Sequence, residues 1–419
     1  MTIQPNSQNI NYLKILLLSL IVGVLAGSAS AFFLFSLDKA TTFREGHQWA
    51  IWLLPLAGLG IGIWYHYYGK EVVKGNNLII EEYSSPQKRV PFKMMPMILF
   101  CTIATHLFGG SAGREGTAVQ MGGSIADQFT SFFHLNNQER KLILILGISA
   151  GFASVFGTPW AGAIFALEVL WVGRFAIQAI LPSILAAFIA HHTCLFFKIS
   201  HTNYTKIILP EFQINFILWS IIAGIIFGLT AFLFTKSIIF FEKQFKEKVL
   251  YPPLRPFIGG ILIALAVYLM QSTKYIGLGI PTIEEAFKTE LPPYDFLLKL
   301  VFTAYTLGAG FKGGEVTPLF FIGATLGNTL SFFIPLPLVL LAGIGLAAIF
   351  AGATNTPLAC TILAIELFGV DCAVYAGFAC IVAYLCSGSI GIYSSQPKSS
   401  PKYLLYKKIF KQPKSSSPS

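Results

Sequence analysis

Four short polar segments interrupt an otherwise apolar sequence of 419 residues: 75–78, 110–117, 313–318 and 391–393. In the first three, small residues stand directly before an apolar, helix-forming run. The N-terminus of a helix presents backbone N–H groups without intrahelical partners and carries a partial positive charge. Glycine lets the backbone approach an ion closely. Several such helix ends together would make an anion site that needs no lysine or arginine and that can still release its anion.

Glu115 is the first candidate for chemistry, because it stands where the helix after the second polar segment begins. A carboxylate inside a membrane is costly unless it has a role. Deprotonated, it can occupy the position of an anion; protonated, it can swing away and let the anion pass. One side chain would then couple proton movement to anion movement. The alternatives are a helix cap or an ion pair with Arg114.

The composition requires a lipid bilayer as the solvent of this chain. Hydrophobic residues make up 54% and charged residues 11%, whereas about 25% of an average soluble domain is charged. The net charge of +10 does not indicate a nucleic-acid partner, because the basic residues gather at the ends of apolar runs, in 88–93, 243–248 and 398–414. By the positive-inside rule these segments are cytoplasmic. We therefore expect a multi-pass protein of the plasma membrane (the inner membrane in a bacterium) with its C-terminus inside.

The chain repeats itself after about 200 residues. The segment 113–117 matches 313–317, Gly123 matches Gly323, and Glu168 matches Glu366. Several apolar runs are too short to span a bilayer, or are broken by Gly or Pro. We predict an all-α membrane protein of two inverted repeats with many short, broken and re-entrant helices, and a site where the repeats meet. The predicted segments are an N-terminal segment 1–12, repeats 13–200 and 213–393, a connection 201–212 and a basic tail 394–419.

Three runs carry a resemblance to a known family. GSAGREGTAVQMGGSIAD (110–127) resembles the GREGP signature of the CLC chloride channel and transporter family. GFASVFGTPWAGAIFALEV (151–169) resembles the segment that follows it, and GGEVTPLFFIGATLGN (313–328) resembles the second-half anion loop. The resemblance implies a homodimer with one anion pathway per subunit. It also implies that Glu115 is the outer gating glutamate and that Tyr393 is the inner gate, whose hydroxyl coordinates the central anion.

Departures from the family pattern resemble its fluoride-handling subgroup. Asn76 stands where the family has its central serine, Thr117 replaces the proline of GREGP, and Val169 falls where many proton-coupled members carry an internal glutamate. Asparagine amides and the Thr317 hydroxyl offer additional donors for a small, strongly hydrated anion, although the asparagines could instead cap a helix. The implied anion-binding residues are Asn76, Asn77, Gly113, Arg114, Gly116, Thr117, Val316, Thr317 and Tyr393.

Glu315 lies 200 residues after Glu115, and we interpret it as the repeat counterpart of that residue. As an intramembrane carboxylate it is predicted to relay protons in place of the missing internal glutamate. The alternative is a structural hydrogen bond to the backbone or to Thr317.

The predicted function is a fluoride/proton antiporter that exports fluoride. A chloride/proton antiporter and a passive chloride or fluoride channel are the alternatives, because physical arguments do not choose fluoride over chloride and only the family resemblance does. The sequence contains no nucleotide-binding loop and no Ser/His/Asp constellation, so we expect neither an enzyme nor a cofactor. His191 and His192 have no further metal ligands at useful spacing, so no metal site is expected.

Overall fold

The computed structural model describes residues 10–170, 176–209, 211–397 and 401–409, and within these ranges it contains helices and no β-strand. The first half comprises α1 (Tyr12–Gly46), α2 (Leu54–Tyr67), α3 (Asn76–Ser84), α4 (Met94–Leu107), α5 (Glu115–Phe132), α6 (Asn137–Phe156), α7 (Pro159–Leu170) and α8 (Ile177–Phe196). The second half comprises α9 (Ile214–Lys248), α10 (Leu254–Met270), α11 (Ile280–Glu285), α12 (Asp295–Gly308), α13 (Val316–Leu330), α14 (Leu338–Thr354), α15 (Pro357–Phe368) and α16 (Ala373–Cys386). Helix α17 (Pro401–Ile409) follows. The predicted all-α class is confirmed.

Few of these helices are long enough to cross a bilayer alone. Among the described residues, four helical segments have the length and hydropathy for a span: α1, residues 48–67, α8 and α9. Seven further apolar helices have only 10–17 residues, whereas a span needs about 20. The short helices therefore do not meet the length for a span on their own, as expected of the predicted broken and re-entrant segments.

The register of the repeat is fixed where the two halves touch. Gly113 and Gly314 exchange two backbone hydrogen bonds of 2.6 and 2.8 Å in an antiparallel bridge. Helix α5 begins at Glu115 and α13 at Val316, so the offset here is 201 residues rather than 200. The prediction that Glu315 is the counterpart of Glu115 is therefore wrong. Equivalent residues of the two repeats are those at the same position relative to the helix start, not those that share the letters GxE. Glu315 directly precedes α13, so its counterpart is Arg114, which directly precedes α5.

The packing of helices within each half confirms this corrected register. A Cβ atom on Gly122 would lie 2.1 Å from the carbonyl oxygen of Gly147, where α5 crosses α6. A Cβ atom on Gly323 would lie 2.3 Å from the carbonyl oxygen of Gly345, where α13 crosses α14. Glycine at these crossings lets the two backbones come into contact. The partner of Gly323 is thus Gly122 rather than the predicted Gly123.

A pair of glutamates joins the halves across α7 and α15. The Glu168 carboxylate, near the end of α7, accepts hydrogen bonds of 3.1 and 2.8 Å from the second and third residues of α15. The Glu366 carboxylate, near the end of α15, accepts bonds of 3.1 and 2.7 Å from the second and third residues of α7. We call them the reciprocal glutamate caps. Each negative charge lies at the positive end of the other helix, so α7 and α15 are antiparallel and the halves are inverted.

Candidate functional site

The starts of α5 and α13 lie side by side at the centre of the protein. The backbone bridge between Gly113 and Gly314 holds them together, and it leaves no room for side chains. A Cβ atom on Gly113 would lie 3.0 Å from the carbonyl oxygen of Gly314 and 2.9 Å from the Pro318 ring. The first-turn N–H groups of both helices have no intrahelical partner, so the two halves direct two sets of donors to one place.

Glu115 is the first residue of α5, yet its carboxylate binds the other half. The side chain is 1% exposed. The Thr317 hydroxyl donates to both carboxylate oxygens at 2.6 and 2.7 Å, and the backbone N–H of Thr317 donates to Oε2 at 3.0 Å. The carboxylate thus lies at the N-terminus of α13, where a free anion would find the same donors.

Arg114 supplies the nearest positive charge. Its backbone N–H donates to Oε2 of Glu115 at 3.2 Å, and its Nε lies 3.5 Å from Oε1. The second contact is an ion pair by distance but is too poorly aligned for a hydrogen bond. Since Thr317 makes the shorter contacts, the carboxylate is bound mainly as the cap of a neighbouring helix, with Arg114 as a weaker partner.

Asn76 and Glu315 meet beside the second residue of α5. A Cβ atom on Gly116 would lie 3.1 Å from Nδ2 of Asn76 and 3.4 Å from Oε2 of Glu315. Both Oδ1 of Asn76 and Oε2 of Glu315 are enclosed and have no hydrogen-bond partner among the described residues. Enclosed polar atoms are normally paired, so two unpaired oxygen atoms next to a helix start are unusual. Thr317, the proposed structural partner of Glu315, instead binds Glu115.

Two of the predicted ligand side chains make contacts elsewhere. Oδ1 of Asn77 accepts a hydrogen bond of 3.0 Å from the backbone N–H of Ser395. The Thr117 hydroxyl lies 2.8 Å from the hydroxyl of Thr102 on α4. Neither contact can be predicted from the sequence, because Ser395 is distant from Asn77 in the chain and Thr102 lies on a different helix from Thr117.

Tyr393 lies in the loop after α16, beside the start of α3. The residue is 4% exposed, and its phenol group is close enough to the carboxylates of Glu315 and Glu115 to interact with them electrostatically. The bond from Ser395 to Asn77 ties this loop to α3. The structure therefore brings Glu115, Thr317, Glu315, Asn76 and Tyr393 into one central region.

Comparison with known proteins gives consistent matches over most of the chain. The family model described as voltage gated chloride channel matches residues 57–388. A protein of Pseudomonas syringae pv. tomato named chloride/fluoride channel protein is 53% identical over 389 residues, which cover 91% of this chain and 86% of that protein. The crystal structure of a CLC-type fluoride/proton antiporter has a TM-score of 0.89 at 36% identity and covers 93% of this chain and 99% of that chain. A slow cyanobacterial Cl⁻/H⁺ antiporter shares the fold, with a TM-score of 0.77 at 18% identity over 95% of this chain and 98% of that one.

Proposed function

Since this chain belongs to the voltage gated chloride channel family, we propose that it is a secondary active transporter that exports fluoride in exchange for protons. The observation that carries the proposal is the position of the Glu115 carboxylate, which binds the backbone N–H and hydroxyl of Thr317 at the start of α13. This carboxylate takes the place that a transported anion needs.

The exchange follows from competition for these donors. While Glu115 is charged, it fills the N-terminus of α13 and closes the pathway. Hydrogen bonds to a charged group are about twice as strong as neutral ones. A proton on Glu115 removes its charge and therefore weakens its hydrogen bonds to Thr317. The side chain then leaves, and the anion binds the backbone N–H groups at the start of α13, including that of Thr317. When Glu115 loses its proton and returns, the anion is displaced, so anion and proton move in opposite directions.

Glu315 is our proposed carrier of the proton on the inner side of Glu115. Its Oε2 atom is enclosed and has no hydrogen-bond partner among the described residues, and the two carboxylates are close enough to repel each other. A proton on either group relieves this repulsion. Glu315 therefore suits a relay, although it is not the repeat counterpart of Glu115.

The preference for fluoride rests on the donors and on the relatives. Fluoride is small and strongly hydrated, so a site must replace its water shell with short, strong hydrogen bonds. The Asn76 amide adds such donors to the helix amides, while the Thr317 hydroxyl binds the Glu115 carboxylate. The Pseudomonas relative is named for chloride and fluoride, and the similar crystal structure is of a fluoride/proton antiporter. A chloride/proton antiporter or a passive channel is the alternative.

We propose a homodimer with one pathway per subunit, in the plasma membrane, or in the inner membrane if the source is bacterial. The C-terminus is placed in the cytoplasm because the basic segments 88–93, 243–248 and 398–414 lie at the ends of apolar runs. The family resemblance supports the dimer.

Ion flux from liposomes tests the proposal. Purified protein is reconstituted in vesicles loaded with fluoride or chloride, and the released anion and the external pH are recorded together. We expect fluoride efflux to exceed chloride efflux and the external pH to rise as protons enter. Glu115→Gln should abolish the pH change, whereas Glu247→Gln, at an exposed position on α9, should behave as the wild type. Fluoride efflux without a pH change would favour the channel, and equal chloride efflux would favour the chloride transporter.

A further inference from the structure

The C-terminal helix α17 places one lysine inside the protein. Lys402 is 2% exposed, whereas Lys407 and Lys408 on the same helix are exposed. Lysine is almost never fully buried unless its charge is paired. Within the described ranges, no carboxylate lies within ion-pair distance of Lys402. The burial of this ammonium group therefore needs another explanation.

Neutral groups from the C-terminal ends of two helices surround the Lys402 ammonium group. It donates hydrogen bonds of 2.7 Å to Oδ1 of Asn355, just after α14, and of 2.8 Å to the hydroxyl of Ser387, just after α16. The Tyr384 ring lies 4.6 Å away, within cation–π distance. Three donors thus face two oxygens and one ring, so the geometry of the site is complete without a counter-ion.

A chain of hydrogen bonds leads from Lys402 to the loop that carries Tyr393. Nδ2 of Asn355 donates to Oε1 of Gln396 at 2.9 Å. Nε2 of Gln396 donates to the carbonyl oxygens of Thr354 at 2.8 Å and Val169 at 3.1 Å. Both halves of the protein are therefore linked to Gln396, and the orientation of its amide depends on Asn355, which in turn is fixed by Lys402.

The backbone of the loop depends on the same contacts. The Gln396 N–H donates to the carbonyl oxygen of Tyr393 at 3.2 Å, and the Ile392 N–H donates to the carbonyl oxygen of Ala353 at 2.8 Å. Tyr393 thus lies between Ile392, which is bound to α14, and Gln396, which is bound to Asn355. A shift of the Gln396 amide would release the turn that aims the phenol group at the centre of the protein.

We propose that Lys402 is a positioning residue that holds the Tyr393 loop at the inner entrance of the anion pathway, so that the C-terminal helix takes part in coupling. The inference rests on the proposed function and on the role of inner gate that the family resemblance implies for Tyr393. Without the Lys402 contacts the loop moves more freely. While Glu115 is protonated and has left the start of α13, more than one anion can then pass, so that fewer protons are exchanged for each anion.

Hydrogen–deuterium exchange of the full-length protein tests the structural step independently of transport. In Lys402→Met we expect the backbone amides of the loop, including those of Ile392 and Gln396, to exchange about 10-fold faster. Lys408→Met, an exposed change on the same helix, should leave them unchanged. Asn355→Gly is the second variant, because Asn355 has φ 61°, which glycine adopts freely, and only the linking amide is lost. Unchanged exchange in both Lys402→Met and Asn355→Gly would overturn the proposal.

Coupled flux in liposomes tests the functional step. We expect the ratio of protons to fluoride to fall at least about 2-fold in Lys402→Met and Asn355→Gly and to stay at the wild-type value in Lys408→Met. Faster exchange with an unchanged ratio would show a purely structural contact and would overturn the role in coupling. If the wild type moves fluoride without protons, the proposed function fails, while the exchange experiment still decides whether Lys402 holds the loop.

Discussion

Replacing Thr317 by valine should separate the binding of the gate from the binding of the anion. The change keeps the shape of the side chain and removes only the hydroxyl, which donates to both Glu115 oxygens at 2.6 and 2.7 Å. The Thr317 backbone N–H at 3.0 Å remains and is available to carboxylate and anion alike. The variant therefore loses one charge-assisted hydrogen bond from the closed state.

The size of the effect follows from that single bond. A hydrogen bond to a charged group contributes about 1.5–3 kcal/mol. Taking about 2 kcal/mol, and about 1.4 kcal/mol for each tenfold change, the Glu115 carboxylate should compete about 30-fold less well for the start of α13. The apparent dissociation constant of fluoride should fall by about the same factor in Thr317→Val.

Calorimetric titration of fluoride into the purified protein measures this constant directly. Thr325→Val is the matched control, because that buried hydroxyl on the same helix bonds only to backbone carbonyl groups of α13 and is expected to leave fluoride affinity unchanged. Thr317→Ser keeps the hydroxyl and should also resemble the wild type. An unchanged or weaker fluoride affinity in Thr317→Val would show that the hydroxyl serves the anion as much as the gate, and would refute the reasoning.

Two further predictions concern the proton route and the helix crossing beneath the site. Glu315→Gln should reduce proton flux while fluoride flux persists, measured in the same vesicles; unchanged coupling would remove Glu315 as the relay. Gly122→Ala should destabilise the protein by about 1–3 kcal/mol or more, because its Cβ would lie 2.1 Å from the Gly147 carbonyl oxygen. Gly60→Ala on α2 is the control, because a Cβ atom there would meet no neighbouring atom within 4 Å; it should stabilise the protein by up to about 1 kcal/mol. Thermal unfolding in detergent compares the two variants. Equal melting temperatures would contradict the packing argument.

The membrane fold and the central place of Glu115 could be predicted because they depend on local chemistry. Apolar runs broken by Gly and Pro are visible in the sequence, and a carboxylate directly after a glycine-rich segment indicates a helix start. The register of the repeat could not be predicted so well. The letters GREGT and GGEVT align Glu115 with Glu315, but the backbone aligns Glu115 with Val316.

The contacts of individual polar side chains could not be predicted from the sequence, because they depend on how the helices pack. Thr117 and Thr317 are both small hydroxyl residues near a helix start, and only the packing of α4 against α5 turns the first towards Thr102. Lys402 belongs to a basic run that the positive-inside rule explains completely. Its burial depends on Asn355 and Ser387, at the ends of α14 and α16, and no local pattern indicates it.

The reciprocal glutamate caps have a consequence for the order in which the chain is made. When α7 leaves the ribosome, the group that satisfies its first N–H groups, Glu366, lies about 200 residues further along and has not yet been synthesised. The first half must therefore wait in the membrane with one helix end incomplete. Only when α15 arrives are both ends satisfied at once, so the last step of assembly closes two contacts together and neither half can reach its final form alone.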